Sequence, residues 1–418
     1  MKICLIADYL PGIHKNWSGA ELVCHKLGEL LTAAGEQVSF VALDEDSSDH
    51  PLNVHLVKTL FGGQSFIGKN FLLDFRALFS IVNILKKTKP DIVHIQAKAL
   101  FLPSACACRM LKIPYFYTVL DYYNLCPRNM LLRSGDELCQ SHHGPECVEC
   151  FCLSKRPIVN RINKCVPGFA KRWFCNIRMN TVNRFMRHAS KVITFSETSR
   201  HRLTACGYPD DKIEVIYHYP FETHGAARTG SDDNNKNVLF VGAFSEHKGL
   251  HIAVEAFKKV ADNIPDAKLQ IIGGGREDYR IRIENLIRKL NVENNVEFLG
   301  RKNNKQVLDL IDKSALVVVP EQWYSEFGPV ILIETKLMRK PVVASKIGSI
   351  PEFIRDGKDG LLAEHNNPDQ FSDAIIKMLN EPQLAVETGN NVSQQILSVA
   401  DTQGMLRELK NLYQNAIG

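Results

Sequence analysis

Glu326 and Glu334 flank a Gly328-Pro329 step in the stretch Pro320-Glu321-Gln322-Trp323-Tyr324-Ser325-Glu326-Phe327-Gly328-Pro329-Val330-Ile331-Leu332-Ile333-Glu334. An apolar run ends at Pro320, a short polar loop follows, and Pro329 opens a second apolar run of helical character. Proline at the first helical position is preset for the turn and gives up no needed N–H. The loop therefore aims backbone N–H groups and the positive end of a helix dipole at whatever lies above the strand. That end suits a phosphate, and the two carboxylates suit hydroxyl donors. A nucleotide-sugar carries both. Two carboxylates eight apart are common by chance; the strand, turn and helix around this pair give it weight.

Three further loops repeat the strand-to-glycine pattern. Ser18-Gly19-Ala20-Glu21 follows the first apolar run and opens a helix, so its N–H groups can approach a phosphate, although Ser18 could equally be a plain helix cap. It is not G-x-G-x-x-G, which argues against a dinucleotide cofactor. In Val241-Gly242-Ala243-Phe244-Ser245-Glu246-His247-Lys248-Gly249, Lys248 stands between a strand end and a helix, placed to neutralise a diphosphate leaving group. Ile272-Gly273-Gly274-Gly275-Arg276 reads either as a flat support for a base or ribose or as a simple turn.

The elements that position these loops alternate. Short β-branched runs are predicted at 2–8, 37–42, 53–57, 91–95, 115–119, 191–195 and 213–216, with helices between, such as 20–33, 72–87 and 176–188. A second set follows at 237–241, 268–272, 296–299, 315–319, 341–345 and 360–363. Alternation of this kind predicts parallel sheets covered by helices. The expected architecture is α/β, with two facing doubly wound Rossmann-like domains. The first spans 1–220, with a cysteine-rich insertion over about 122–168. The second spans 237–400, after a polar, turn-rich linker, and a C-terminal helix at 401–418 packs back on the first. Ligands of such sheets bind beyond the carboxyl ends of the strands.

With 418 residues and 23% charged residues, the composition is that of an ordinary globular protein. No apolar run reaches the length of a membrane span, and the first residues are too soon charged for a signal peptide. A cytoplasmic protein is expected. Its formal net charge is +5, and the basic excess lies in the first half. From Phe151 to Ser196 there are ten Lys and Arg and no Asp or Glu. Phe169, Trp173, Phe174 and Phe185 are interleaved. Such a stretch suits an anionic membrane surface, although a solvated helix face would read the same way. No nucleic-acid reader motif accompanies it, and no nucleic-acid partner is expected.

All 12 cysteines precede residue 207. Cys126, Cys139, Cys147 and Cys150 form the tightest group, with Cys147-Val148-Glu149-Cys150 a C-x-x-C pair. In a cytoplasmic chain this favours a metal over disulfides. Four thiolates suit a tetrahedral structural zinc; free thiols in an irregular insertion are the plain alternative.

Taken together, the chain resembles the family 4 retaining glycosyltransferases of GT-B fold. The resemblance is carried by Ser18-Gly19-Ala20-Glu21, Pro90-Asp91-Ile92-Val93-His94, Val192-Ile193-Thr194-Phe195-Ser196-Glu197 and Val241-Gly242 with Lys248-Gly249. It is strongest in Glu326-Phe327-Gly328 with Glu334 and in Gly348-Ser349-Ile350-Pro351-Glu352. The segment from Asp121 to Arg128, with the later cysteines, is similar to a cysteine-containing subgroup from bacterial surface-polysaccharide clusters.

The resemblance implies a UDP- or GDP-sugar donor, a glycan or lipid-linked acceptor, and no cofactor for catalysis. It implies that Glu334 bonds the donor ribose. Glu326 and the N–H groups of Phe327, Gly328 and Val330 would hold the sugar and phosphates, and Lys248 the diphosphate. Two positions depart from the pattern. Leu120 stands where the family has His before Asp121, leaving Asp121 as the acceptor-side candidate. Ala243 stands where the family has Arg, so Lys248 would carry more of the diphosphate charge, helped by Arg301 or Lys302. A GT-B epimerase or phosphorylase and a non-catalytic membrane-bound scaffold of the same fold are the alternatives.

Overall fold

A computed structural model of the chain describes residues 1–14, 19–44, 53–60, 73–122, 126, 139, 147, 167–217, 235–324 and 329–417. The chain divides into two compact units, Met1–Ile216 with Gln403–Gly418, and Tyr217–Thr402. Each is an α/β unit on a parallel sheet.

In the first unit the elements run β1 (Lys2–Ile6), α1 (Gly19–Ala33), β2 (Gln37–Leu43), β3 (Val54–Val57), α2 (Phe75–Thr88), β4 (Ile92–Ile95), α3 (Phe101–Leu111), β5 (Tyr115–Thr118), α4 (Gly168–His188), β6 (Lys191–Thr194), α5 (Glu197–Ala205) and β7 (Ile213–Val215). The seven strands lie in the order β3-β2-β1-β4-β5-β6-β7. Burial of both faces explains the near-continuous apolar runs: four of five residues in β1 and all four in β4 and β5 are buried.

Each helix forms for a local reason. In α2, Ala77, Leu78, Ile81, Val82 and Leu85 recur at helical spacing and are buried. Asp74 caps it, accepting from Ala77 N–H at 2.9 Å, and Lys89 ends it in the left-handed conformation. Helix α2 begins at Phe75 rather than Leu72. Helix α4 begins at Gly168, two turns before the expected start, so Phe169 and Trp173 lie on the helix.

The second unit contains β8 (Asn237–Val241), α6 (Leu250–Asn263), β9 (Lys268–Ile272), α7 (Glu277–Leu290), β10 (Val296–Gly300), α8 (Asn304–Lys313), β11 (Leu316–Val319), α9 (Val330–Leu337), β12 (Val342–Ser345), α10 (Ile350–Phe353), β13 (Leu361–Ala363), α11 (Pro368–Asn380), α12 (Pro382–Asn390) and α13 (Gln394–Ala400). Its sheet order is β10-β9-β8-β11-β12-β13. Two apolar clusters cover it. One is centred on Phe257, Leu269 and Phe371, the other on Val317, Leu332 and Phe353. Lys336 and Lys340 are fully buried. Lys336 Nζ donates to the carbonyls of Thr388 at 2.5 Å and Gly389 at 3.0 Å, and Lys340 Nζ to that of Ser314 at 2.9 Å. Lys336 thus ties α9 to the last turn of α12, and Lys340 ties the turn after α9 to the end of α8.

The last helix, α14 (Thr402–Ile417), belongs to the first unit. Its Tyr413 is fully buried against Phe116, ring centroids 5.0 Å apart. The Tyr413 hydroxyl lies 2.5 Å from His94 Nδ1, and His94 Nε2 lies 2.6 Å from Thr118 Oγ1. Burial pushes the His94 pKa down to about 3, so the ring is neutral and both nitrogens are bonded.

Strand alternation separates the two faces of this sheet. Phe116 and Thr118 point to the α14 side. Tyr115 and Tyr117 point the other way, to Phe185 of α4 and Phe101 of α3.

Candidate functional site

Four loops leave the carboxyl edge of the second sheet, and their glycines bring them into contact. Gly273 has φ +143°, and a Cβ there would sit 1.9 Å from the Gly242 carbonyl oxygen. Gly242 N–H donates to the Ile272 carbonyl at 3.0 Å. Gly274 lies under Arg301, whose Nε would be 2.7 Å from an added Cβ. Gly249 has φ +68°, and a Cβ there would lie 1.7 Å from the Pro320 oxygen. Glycine at 249 and 273 is thus required by both backbone conformation and close approach. The loops after β8, β9, β10 and β11 form one continuous surface, with Arg301 at one end and Pro320 at the other.

Lys248 ends a short 3-10 turn, Glu246–Lys248, just before α6. Its ammonium donates to Glu321 Oε2 at 2.7 Å. Glu321 is 1% exposed and Lys248 is 28% exposed, so the lysine is anchored from below and keeps an open flank. The loop carrying Glu321 is fixed to it in turn. Gln322 N–H donates to the His247 carbonyl at 2.8 Å, and Trp323 packs edge-on to His247. Glu321 is not among the residues the sequence points to. Its one signal there is an acid directly after the proline that ends a buried strand.

Glu334 lies one turn into α9 and is 5% exposed. Burial raises its pKa to about 7, and a hydrogen bond from Asn304 opposes the rise. Asn304 Nδ2 donates to Glu334 Oε1 at 2.8 Å. Asn304 comes from the start of α8, where Asn303 and Gln306 form a capping box. The sequence does not single it out either. Pro329 is the N-cap of α9 and Val330 its first residue. Glu326, Phe327 and Gly328 lie outside the described residues.

In the first unit, Asp8 follows β1 and is buried. Its carboxylate accepts from the N–H groups of Lys98 and Ala99 at 2.9 and 3.0 Å and of Leu100 at 3.1 Å. Burial raises its pKa, and those three bonds hold it back. Asp8 therefore shapes the turn between β4 and α3, and that turn presents Lys98. The Lys98 ammonium pairs with Asp121, the acceptor-side candidate, which is buried after β5. Burial disfavours the charged lysine, but Asp121 outweighs it and the Lys98 pKa is raised.

Gly19 opens α1, with nothing within 4 Å of an added Cβ, and Ser18 lies outside the described residues. So does Cys150. Cys126 is buried, and Cys139 and Cys147 are half-buried. Among the described residues no three His, Cys, Asp or Glu side chains are grouped to hold a metal.

Both units are doubly wound parallel α/β sheets, the class in which ligands bind beyond the carboxyl ends of the strands. The model of "Glycosyl transferases group 1" matches residues 224–395, and that of "Glycosyltransferase Family 4" matches residues 17–218. The chain belongs to the family 4, group 1 glycosyltransferases of GT-B fold.

An uncharacterised glycosyltransferase of Methanocaldococcus jannaschii is 36% identical over 37% of this chain and 41% of its own length. The N-acetyl-alpha-D-glucosaminyl L-malate synthase of Bacillus anthracis is 25% identical over 57% of the chain and 63% of its own. The matches thus span about two fifths to three fifths of these curated relatives. Among solved structures, Anabaena HepE in complex with UDP-glucose has a TM-score of 0.69 at 20% identity, covering 98% of this chain and all of that one. That likeness bears on the fold.

Proposed function

We propose that this protein is a retaining glycosyltransferase that moves a sugar from a UDP- or GDP-sugar to a hydroxyl of a glycan or lipid-linked acceptor, in the synthesis of a surface polysaccharide. The observation that carries the reading is the joined loop surface of the second unit, with Lys248 seated on buried Glu321 and buried Glu334 near the head of α9 held by Asn304.

In this reading Glu334 accepts from the ribose hydroxyls. Gly242, Val330, and the Glu326, Phe327 and Gly328 segment hold the sugar and phosphates. Lys248 and Arg301 take the diphosphate charge. As the bond from C1 to the phosphate oxygen breaks, its electron pair leaves with the diphosphate. Negative charge grows there, and Lys248 and the helix start oppose it. The acceptor oxygen bonds to C1 from the same face, and its proton passes to the departing phosphate. Asp121, held by Lys98, orients the acceptor hydroxyl. Ser18 and Gly19 lend N–H groups at the head of α1.

No described helix is long and apolar enough to cross a membrane. Exposed Phe169 and Trp173, with Arg172 between them on α4, support peripheral contact with the anionic inner face of the plasma membrane from the cytoplasm. Four cysteines, Cys126, Cys139, Cys147 and Cys150, form the proposed structural zinc site of the insertion.

A panel of UDP- and GDP-sugars, screened for nucleotide release with and without crude lipid-linked acceptor, tests the assignment. Acceptor-dependent release with retained anomeric configuration supports it. Sugar isomerisation without release would instead mark an epimerase.

A further inference from the structure

The bond between Asn304 and Glu334 lies where the second sheet reverses its winding. From β8 the chain steps outward through β9 to β10, then returns to lay β11 on the other side of β8. Helix α8 makes that return. Its Val307, Leu308 and Ile311 share one apolar cluster with Leu332 and Ile333 of α9, whereas α6 and α7 pack in the other cluster. Strands β8 and β11 are thus neighbours whose following helices cover opposite faces. Ligands of open sheets settle at such a switch point, beyond the carboxyl ends of the strands. Asn304, the first residue of α8, and Glu334, one turn into α9, meet on the α8 side of it.

Both side chains stand on backbone with little freedom. The capping box fixes the start of α8: Gln306 N–H donates to Asn303 Oδ1 at 2.9 Å, and Asn303 N–H to Gln306 Oε1 at 3.1 Å. Leu332 and Ile333, just before Glu334, are fully buried.

The Asn304 amide is used on one side only. Nδ2 donates to Glu334 Oε1 at 2.8 Å. Oδ1 is buried and has no hydrogen-bond partner among the described residues. Turning the amide over would set Oδ1 against the carboxylate, acceptor against acceptor, so an ionised Glu334 keeps Nδ2 toward itself. A buried carbonyl oxygen without a donor is costly, and native proteins hold few. On the other side of the bond, Glu334 Oε1 receives the amide hydrogen, which leaves Oε2 for another donor. One hydrogen bond therefore locks together two side chains that each offer an acceptor. Two neighbouring hydroxyl donors on one ligand would satisfy both.

We propose that Asn304 is a second ribose-reading residue: its Oδ1 accepts from one of the two adjacent hydroxyls of the donor ribose while Glu334 Oε2 accepts from the other. This rests on the ribose reading of Glu334 given above and adds a residue to it. The pair selects more sharply than a lone carboxylate. A ligand lacking either hydroxyl leaves a buried acceptor stranded, and sites built to bond a hydroxyl reject the analogue without it.

The test is calorimetry of the full chain with UDP and GDP and with their 2′-deoxy and 3′-deoxy forms, at about pH 8.5 so that Glu334 is ionised. These probes carry no transferable sugar, so discrimination among them is made at the ribose. Wild type should bind the better diphosphate at least about tenfold more tightly than either of its deoxy forms. In Asn304→Ala the preference over one deoxy form should fall to within about twofold, while the preference over the other persists. A role limited to holding Glu334 would weaken the ribose and both deoxyribose forms by the same factor, and that result overturns the proposal. Equal wild-type binding of the ribonucleotide and either deoxy form overturns it without any variant. Glu334→Gln separates this inference from the reading beneath it. If Glu334→Gln binds UDP and GDP as wild type does, or if wild type binds neither, the ribose assignment of Glu334 falls and that of Asn304 with it. If Glu334→Gln binds weakly while Asn304→Ala keeps both preferences, only Asn304 falls.

Discussion

Lys248 Nζ sits 2.7 Å from Glu321 Oε2, and the pair joins the loop after β8 to the loop after β11. The acid is buried and the base is not, so the pair is a pedestal for a cation. This makes the usual alanine test ambiguous, because Lys248→Ala strands a buried carboxylate, at a cost of about 3–5 kcal/mol. The double variant Lys248→Ala/Glu321→Gln should restore most of the melting temperature and leave turnover depressed at least about a hundredfold. Recovery of turnover along with stability would remove Lys248 from the chemistry.

Glu334 links pH to both stability and binding. Its folded pKa of about 7 lies above the ordinary 4.5. The folded protein therefore binds the proton more tightly than the unfolded chain. The stabilisation is full below about pH 4.5 and is lost as pH rises through about 7, by up to about 3 kcal/mol. Glu334→Gln should raise the melting temperature of nucleotide-free protein at pH 8 relative to wild type. The same variant should bind UDP or GDP at least about tenfold more weakly. Wild-type nucleotide affinity, followed by calorimetry, should increase from pH 6 to pH 8, because the ribose hydroxyls need the carboxylate.

The proposed zinc site predicts about one zinc per chain by elemental analysis. Cys147→Ser/Cys150→Ser should lose the metal and melt lower, with nucleotide binding unchanged because those loops belong to the other unit. Metal-free wild-type protein whose melting is unmoved by chelator would remove the site.

Tyr413→Phe deletes the hydroxyl that satisfies His94 Nδ1 in a fully buried setting. The loss should be about 1–3 kcal/mol, read as a lower melting temperature of the first unit. His94→Phe with Tyr413→Phe should cost less than the sum of the two single changes, since neither polar group is then stranded.

The strands are legible in the sequence because buried parallel strands are short, nearly continuous apolar runs. The run from Leu316 to Val319, buried throughout and closed by Pro320, leaves little choice. The start of α4 is not legible: Phe169, Arg172 and Trp173 show no apolar period, since that turn buries little. The candidate site is half legible. Lys248 and Glu334 stand in short motifs next to strand ends. Their partners are distant in sequence, Glu321 by 73 residues and Asn304 by 30, and Asp8 reaches Lys98 across 90. Local pattern carries no record of such pairings; only the closing of Gly249 onto Pro320 and the folding of β1 beside β4 create them.

The bond between His94 and Tyr413 closes a loop of 319 residues. During synthesis at about 5–20 residues per second, roughly 15–60 s separate the two side chains. By the end of that interval the first unit has its whole sheet and the second all of its own strands, but the helix that covers His94, Phe116 and Thr118 is still missing. The nascent chain thus completes its later half before its earlier one. The apolar strip that α14 will cover is for that time a natural landing place for a chaperone, and a premature stop shortly before Tyr413 would leave it permanently open.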